Sequence, residues 1–362
     1  MKNKIAPPPY KSMILPAEWE KQTAIWFTWP QNADTWTPVW DEAKAAYKEI
    51  ISTSLRFQDV MLLVNDKPTQ SSLEKELRAA SSGAPFRLQI LVCPTNDSWI
   101  RDYGAITVRA SDDFASFSPT GNPGSGRSKL VTLDFTFNSW GGKYPPWDKD
   151  DAVPVFMAQH RERELCAVHF VLEGGSIDAN GKGKLLTTTQ CLLNQNRNPD
   201  MNRDDIEKVL NQYLGITETL WLESGINGDD TDGHVDDLAR FTDERTVFCA
   251  IETNAADENY GPLKSNIEVL NRYSRTMDLE VVELPMPARQ VKSGLRTPAT
   301  YLNFLILNGA VLVPVFQDKR DDHALQLFET YFSTRKIVPV DCRSLVFGQG
   351  AIHCSSMQEP SG

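Results

Sequence analysis

Four short segments place ionisable residues beside glycine and apolar flanks: NDSWIRDYGA (96–105), LEGGSID (172–178), GDDTDGHVDD (228–237) and GQGAIHC (348–354). Polar groups are costly to bury without partners, and glycine lets a backbone approach a ligand closely. Chemistry is therefore expected in these segments. Cys354 is the candidate nucleophile, since a thiolate attacks electrophilic carbon. The adjacent His353 is not expected to be its base, because in an extended 351–355 segment neighbouring side chains point to opposite faces. His234 is the candidate acid/base, with Asp236 on its face if 233–236 is extended.

Asp102 follows Arg101 and lies three residues after Trp99, while Glu173 precedes Gly174 and Gly175. Singly, these carboxylates read as a salt-bridge partner and a cap. Together with one histidine, one cysteine and an aromatic wall they suit a planar cation such as guanidinium. Carboxylates grip that fork bidentately and an aromatic face attracts it. A thiolate beside an imidazolium and a bound cation is expected to have a lowered pKa. Metal-site spacings fail. With Asp230 and Asp232 at positions three and five of a calcium loop, Gly228 and Ala239 occupy positions that need acids. A metal-dependent hydrolase using His234 with Asp230, Asp232 or Asp236 is the reading from a different class. A non-catalytic module for cationic ligands is the third.

The whole composition agrees with a cationic small molecule. The chain has 362 residues, 37 Lys and Arg against 48 Asp and Glu, and a net charge of -11. That balance argues against a nucleic-acid backbone or an anionic membrane as partner. Six scattered cysteines without CxxC spacing, and no apolar leader or membrane-length run, lead to an expectation of a reduced, cytoplasmic protein.

Elements must position these residues. Strands are expected at 24–29, 60–64, 88–93, 247–251 and 280–284, and helices at 41–55, 71–80, 202–213, 263–275 and 321–332. The runs 301–307 and 311–316 flank Asn308-Gly309, expected to turn a hairpin through positive φ angles. Segments 111–129 and 140–150 read as loops, of the kind that often wall an active site. Glycines 121, 124 and 126 follow no strand and suggest no dinucleotide site. The expectation is a mixed α/β chain without visible internal repeats, residues 1–362 forming one domain.

The chain resembles the agmatine deiminase family, the bacterial type of peptidyl-arginine deiminase within the guanidine-modifying superfamily. The resemblance runs through LPAEWEKQTAIWFTWP (15–30), NDSWIRDYGA, LEGGSIDANGKG, LLTTTQCLLNQNRNP (185–199), DDTDGHVDDLARF and GQGAIHC. It implies a five-bladed α/β propeller of ββαβ-like units around a central channel. It also implies Cys354 as nucleophile and His234 as acid/base, Asp102 and Asp236 gripping the guanidinium, and Glu173 holding His234. Trp99, with Gly174 and Asp232, would help bind substrate. No metal or organic cofactor is implied, and a homodimer is. Tyr103-Gly104-Ala105, Asp232 and Gln349 depart from the family pattern around the pocket. Agmatine is the first expectation as substrate, with arginine or peptidyl-arginine as alternatives.

Overall fold

Runs rich in β-branched and aromatic residues form short strands whose burial reports their place in a sheet. Asp59–Val64, for example, is buried at five successive positions, as a strand covered on both faces must be. These elements come from a computed structural model, which describes residues 5, 7–80, 83–112 and 129–362. Glycines 121, 124 and 126, and most of the loop expected at 111–129, lie outside the described residues.

Five sheets share one order: an antiparallel pair, then a parallel strand reached through a helical crossover. In the first, Ser356–Pro360 pairs antiparallel with Gln22–Thr28, which pairs parallel with Asp59–Val64, and Leu88–Val92 extends the sheet. The second joins Ser12–Ile14, Ile106–Ser111, Lys129–Thr136 and, in parallel, Glu164–Val171. Asp178–Ala179, Lys184–Thr188 and Glu218–Leu222 form the third. Ala239–Phe241, Thr246–Ile251 and Glu280–Pro285 form the fourth. Leu305–Ile306, Ala310–Val315 and Lys336–Asp341 form the fifth. The mixed α/β expectation holds, and its ββαβ order recurs although no repeat is visible in the sequence.

The crossover helices are built conventionally. Arg203–Leu214 starts at a capping box between Asn202 and Asp205 and ends at Gly215, φ +71°. A Cβ there would lie 2.2 Å from the Met13 carbonyl oxygen, so turn geometry and packing both require glycine. The late hairpin forms in the register Leu305↔Leu312, but without the expected positive φ at Asn308-Gly309. Instead the Asn308 side chain exchanges two 2.9 Å bonds with the Gln22 backbone, and its N–H donates to Gln58. Tertiary bonds therefore hold this turn where local turn chemistry was expected.

Buried apolar residues from all five sheets form one contiguous core. Among the described residues no helix is long and apolar enough to cross a membrane. The five segments leading from one sheet to the next carry Asp102, Glu173, His234 with Asp236, Asn303 and Cys354 in turn. Each connection contributes to one site.

Candidate active site

Cys354 lies in a turn over 352–355, immediately before the strand Ser356–Pro360. The extended backbone expected here does not form: Ser355 N–H bonds Ala351 O at 3.2 Å and Ser356 N–H bonds His353 O at 3.0 Å. The consequence is that His353 and Cys354 reach the same carboxylate. Asp236 Oδ2 lies 2.7 Å from His353 Nδ1 and 3.7 Å from Cys354 Sγ. Asp236 is likewise not in extended backbone but in the short 3₁₀ turn Val235–Asp237 that follows His234.

Asp102 sits in the one-turn helix Ile100–Tyr103. Its Oδ1 accepts the Gly175 N–H at 3.1 Å and its Oδ2 the Trp140 Nε1–H at 2.9 Å, with His234 Nδ1 at 3.6 Å. A Cβ at Gly175 would lie 2.6 Å from His234 Nδ1, 2.8 Å from Asp102 Oδ1 and 3.2 Å from Asp236 Oδ2. Only glycine allows these three groups to converge there. Glu173 accepts Arg197 Nε–H at 2.6 Å through Oε1, and its carboxylate, the Cys191 thiol and the His234 ring each offer an atom within 4.8 Å of the others. It thus lies beside His234, though Arg197 is what fixes it. Of the buried atoms without a hydrogen-bonding partner among the described residues, four belong to this cluster: Glu173 Oε2, Asp236 Oδ1 and both His234 ring nitrogens. Two are acceptors, ready for the N–H groups of a ligand.

The charges are unequal. Burial pushes the Cys354 thiol well above its usual range, and Asp236, Asp237 and Asp102 push it further. The lowered thiol pKa expected from the sequence is that of a thiolate beside a bound cation; without one, burial and the carboxylates raise it. Burial also moves Asp102 up to about 6, with Asp236 adding and His234 and Trp140 opposing. Asp237 is raised well above the carboxylate range by burial and by Asp236. Asp236 is lowered despite its burial, through the bond and charge of His353 and the charge of His234. Burial opposes a charge on His234, but Asp102 and the neighbouring Cys191 and Glu173 outweigh it and raise its pKa well above the ordinary value.

A cavity of about 530 Å³ leads to this centre, with Trp99, Asp102, Trp140 and Cys354 in its wall. His234, Asp236 and Glu173 lie behind that wall, fully buried. Two expected substrate contacts stand elsewhere. Asp232 is consumed by Lys143 at 2.8 Å, Arg197 at 2.6 Å and Asn196 at 3.0 Å. Gly174 backs onto Arg101 O, where a Cβ would come within 2.2 Å, and lines a separate cavity of about 50 Å³. Asp230 bonds Tyr144, so Asp230 and Asp232 do not join His234 as a ligand set. Arg240 and Arg296 are not free to hold a ligand carboxylate: Arg240 is paired inside the fold with Glu18 and Asp178, and Arg296 with Asp257.

Sequence reasoning missed Asn303, Trp140 and Arg197. Asn303 Nδ2 donates to Cys354 Sγ at 3.0 Å and Asp237 Oδ1 at 3.1 Å, and its Oδ1 accepts the Cys354 N–H at 3.2 Å. The available signal was one amide inside the apolar run TYLNFLIL (300–307). Trp140, φ +53°, belongs to the segment expected to wall the site, and there the expectation holds.

A buried thiol, an imidazole and convergent carboxylates on this fold define a guanidine deiminase type of site, and the chain belongs to the family described as Porphyromonas-type peptidyl-arginine deiminase, whose model matches residues 14–360. Within it, the agmatine deiminase of Stutzerimonas stutzeri is 33% identical over 96% of this chain and 95% of its own. The agmatine deiminase of Pseudomonas fluorescens is 31% identical over the same shares. A substrate-bound agmatine deiminase from C. jejuni superposes with a TM-score of 0.84 at 33% identity, covering 97% of both chains. That of Enterococcus faecalis superposes at 0.86 and 29% identity over 100% of both.

Proposed function

We propose that this chain hydrolyses the guanidinium group of agmatine to N-carbamoylputrescine and ammonia through a covalent intermediate on Cys354. One observation carries the choice of substrate. The outer cavity presents Asp34, Asp97 and Asp230, and no arginine among the described residues. Its two lysines are occupied: Lys143 with Asp230 O and Asp232, Lys292 with Thr35 O and Phe347 O. That mouth suits a terminal ammonium and offers little to the carboxylate of arginine.

In this reading the guanidinium enters between Asp102 and Asp236, and its charge offsets the carboxylates that hold the thiol protonated. The thiol then gives its proton to solvent in the cavity, and Sγ attacks the guanidinium carbon. His234, poised as imidazolium, gives a proton to the departing nitrogen, and ammonia leaves a thiouronium on Cys354. The neutral imidazole next takes a proton from water as the water oxygen attacks the same carbon. The C–S bond breaks, the hydroxyl proton of the former water passes to the leaving thiolate, and the ureido carbonyl forms with the thiol restored. No metal or organic cofactor takes part.

We also propose that the five sheets close around this site as five blades. The shared strand order and the five contributing connections support this, and Ser356–Pro360 joins the two ends of the chain in one sheet. Because the site draws on residues from both ends, residues 1–362 act as one catalytic unit. Six unpaired cysteines favour a reducing, cytoplasmic setting. A panel of agmatine, arginine and arginyl peptides, read by ammonia and ureido product, tests the function. Turnover of agmatine, abolished in Cys354→Ala and resistant to chelators, is expected. Conversion of arginine or arginyl peptides with agmatine untouched would overturn the substrate.

A further inference from the structure

His353 takes no part in the steps above, yet it is buried between two carboxylates. Its Nδ1 lies 2.7 Å from Asp236 Oδ2 and its Nε2 lies 3.0 Å from Glu18 Oε2. Ionised carboxylates only accept, so both contacts are hydrogen bonds when the ring carries both protons. Glu18 is held in turn by the Arg240 guanidinium and, through Oε1, by the Ile306 N–H at 2.8 Å. The His353 backbone N–H is anchored on Asn303 Oδ1 at 3.0 Å.

We propose that His353, locked by Glu18, is a positioning residue that keeps Asp236 anionic and turns its unpaired Oδ1 toward the guanidinium. The inference rests on the deiminase reading and deepens it. Asp236 needs such a partner. It shares the centre with Asp237, Asp102 and Cys354, and a carboxylate crowded by like charges takes up a proton. A protonated Asp236 would offer the guanidinium a hydroxyl where an acceptor is required. On its other sides, His234 and Arg240 add positive charge and Asn303 Nδ2 lies 3.3 Å away. The ring itself faces Glu18 and Asp236, while its carbonyl accepts Arg101 Nε–H at 3.3 Å. Glu18 belongs to the segment 15–30 noted in the sequence, so a residue near the start of the chain acts on the centre through His353.

The test compares His353→Asn, which keeps a neutral donor toward Asp236, with Glu18→Gln, which does not touch Asp236. For His353→Asn the KM for agmatine at pH 7 should rise about 10- to 100-fold, the range for losing a charge-assisted bond. It should recover toward wild type by pH 9, with kcat changed about threefold or less; Glu18→Gln should move the same way by less. A loss equal at every pH, or unchanged KM in folded variants, overturns the proposal. Nitrogen-15 shifts of the His353 ring in the wild-type protein, which has five histidines, supply a readout independent of folding and substrate. Nδ1 should carry the proton that Asp236 accepts, and a ring with Nδ1 unprotonated overturns the inference. Wild-type protein inactive on every guanidine overturns the functional reading while the ring shifts still decide this one.

Discussion

Asn303 holds Cys354 from both sides of its Cα, donating Nδ2–H to Sγ at 3.0 Å and accepting the backbone N–H through Oδ1 at 3.2 Å. Asn303→Asp would replace the donor with a fourth carboxylate facing the thiol. Iodoacetamide labelling of Cys354 should move to higher pH, and kcat/KM should fall roughly 100-fold, as for other lost polar contacts at a reacting centre. Labelling with the wild-type pH profile would show that Asn303 does not govern the thiol.

Trp140→Phe removes the only side-chain donor described for Asp102 Oδ2 while keeping the aromatic wall. That bond favours the ionised carboxylate, so its loss should raise the Asp102 pKa from about 6. The KM for agmatine should rise about 10-fold near pH 6.5 and much less near pH 8.5. Equal effects at both values would place the damage in packing.

Gly175→Ala tests the convergence of His234, Asp102 and Asp236. The added carbon would sit 2.6 Å from the imidazole, so those groups must separate. We expect kcat/KM to fall at least about 100-fold and stability by roughly 1–3 kcal/mol. An active, undistorted variant would mean that the groups need not stand so close.

Asp150 carries a pH-dependent stability penalty. Burial raises its carboxyl to about 8. The folded protein therefore holds a proton that the unfolded chain releases, and stability falls as pH climbs from the unfolded value, about 4, toward 8. Asp150→Asn should remove this slope and raise Tm at pH 8 by at least about 2 °C. A melting profile still falling in parallel with wild type would refute it.

The chemistry of the site was legible in sequence more fully than its geometry. Cys354, His234, Asp102, Asp236 and Glu173 are ionisable groups beside glycine and apolar flanks, a pattern expensive enough to mark itself. The backbone around them was not: at 352–355 the His353 and Cys354 N–H groups bond Asn303, and in the 3₁₀ turn Val235–Asp237 the Asp237 carbonyl accepts the Thr300 hydroxyl, both partners remote in sequence. Asn303 hid within an apolar run. Asp232 looked like a ligand among five acids, yet Lys143 and Arg197 engage it through parts of the chain far from it in sequence. The repeating sheets stayed invisible since strands such as Asp178–Ala179 and Leu305–Ile306 span two residues, too few to show a period.

Cys354 stands two residues before the strand Ser356–Pro360, whose partner strand is Gln22–Thr28. The position of the thiol is therefore set by a strand remote from it in sequence, and a substitution inside Gln22–Thr28 would reach the reacting centre without touching any residue of it.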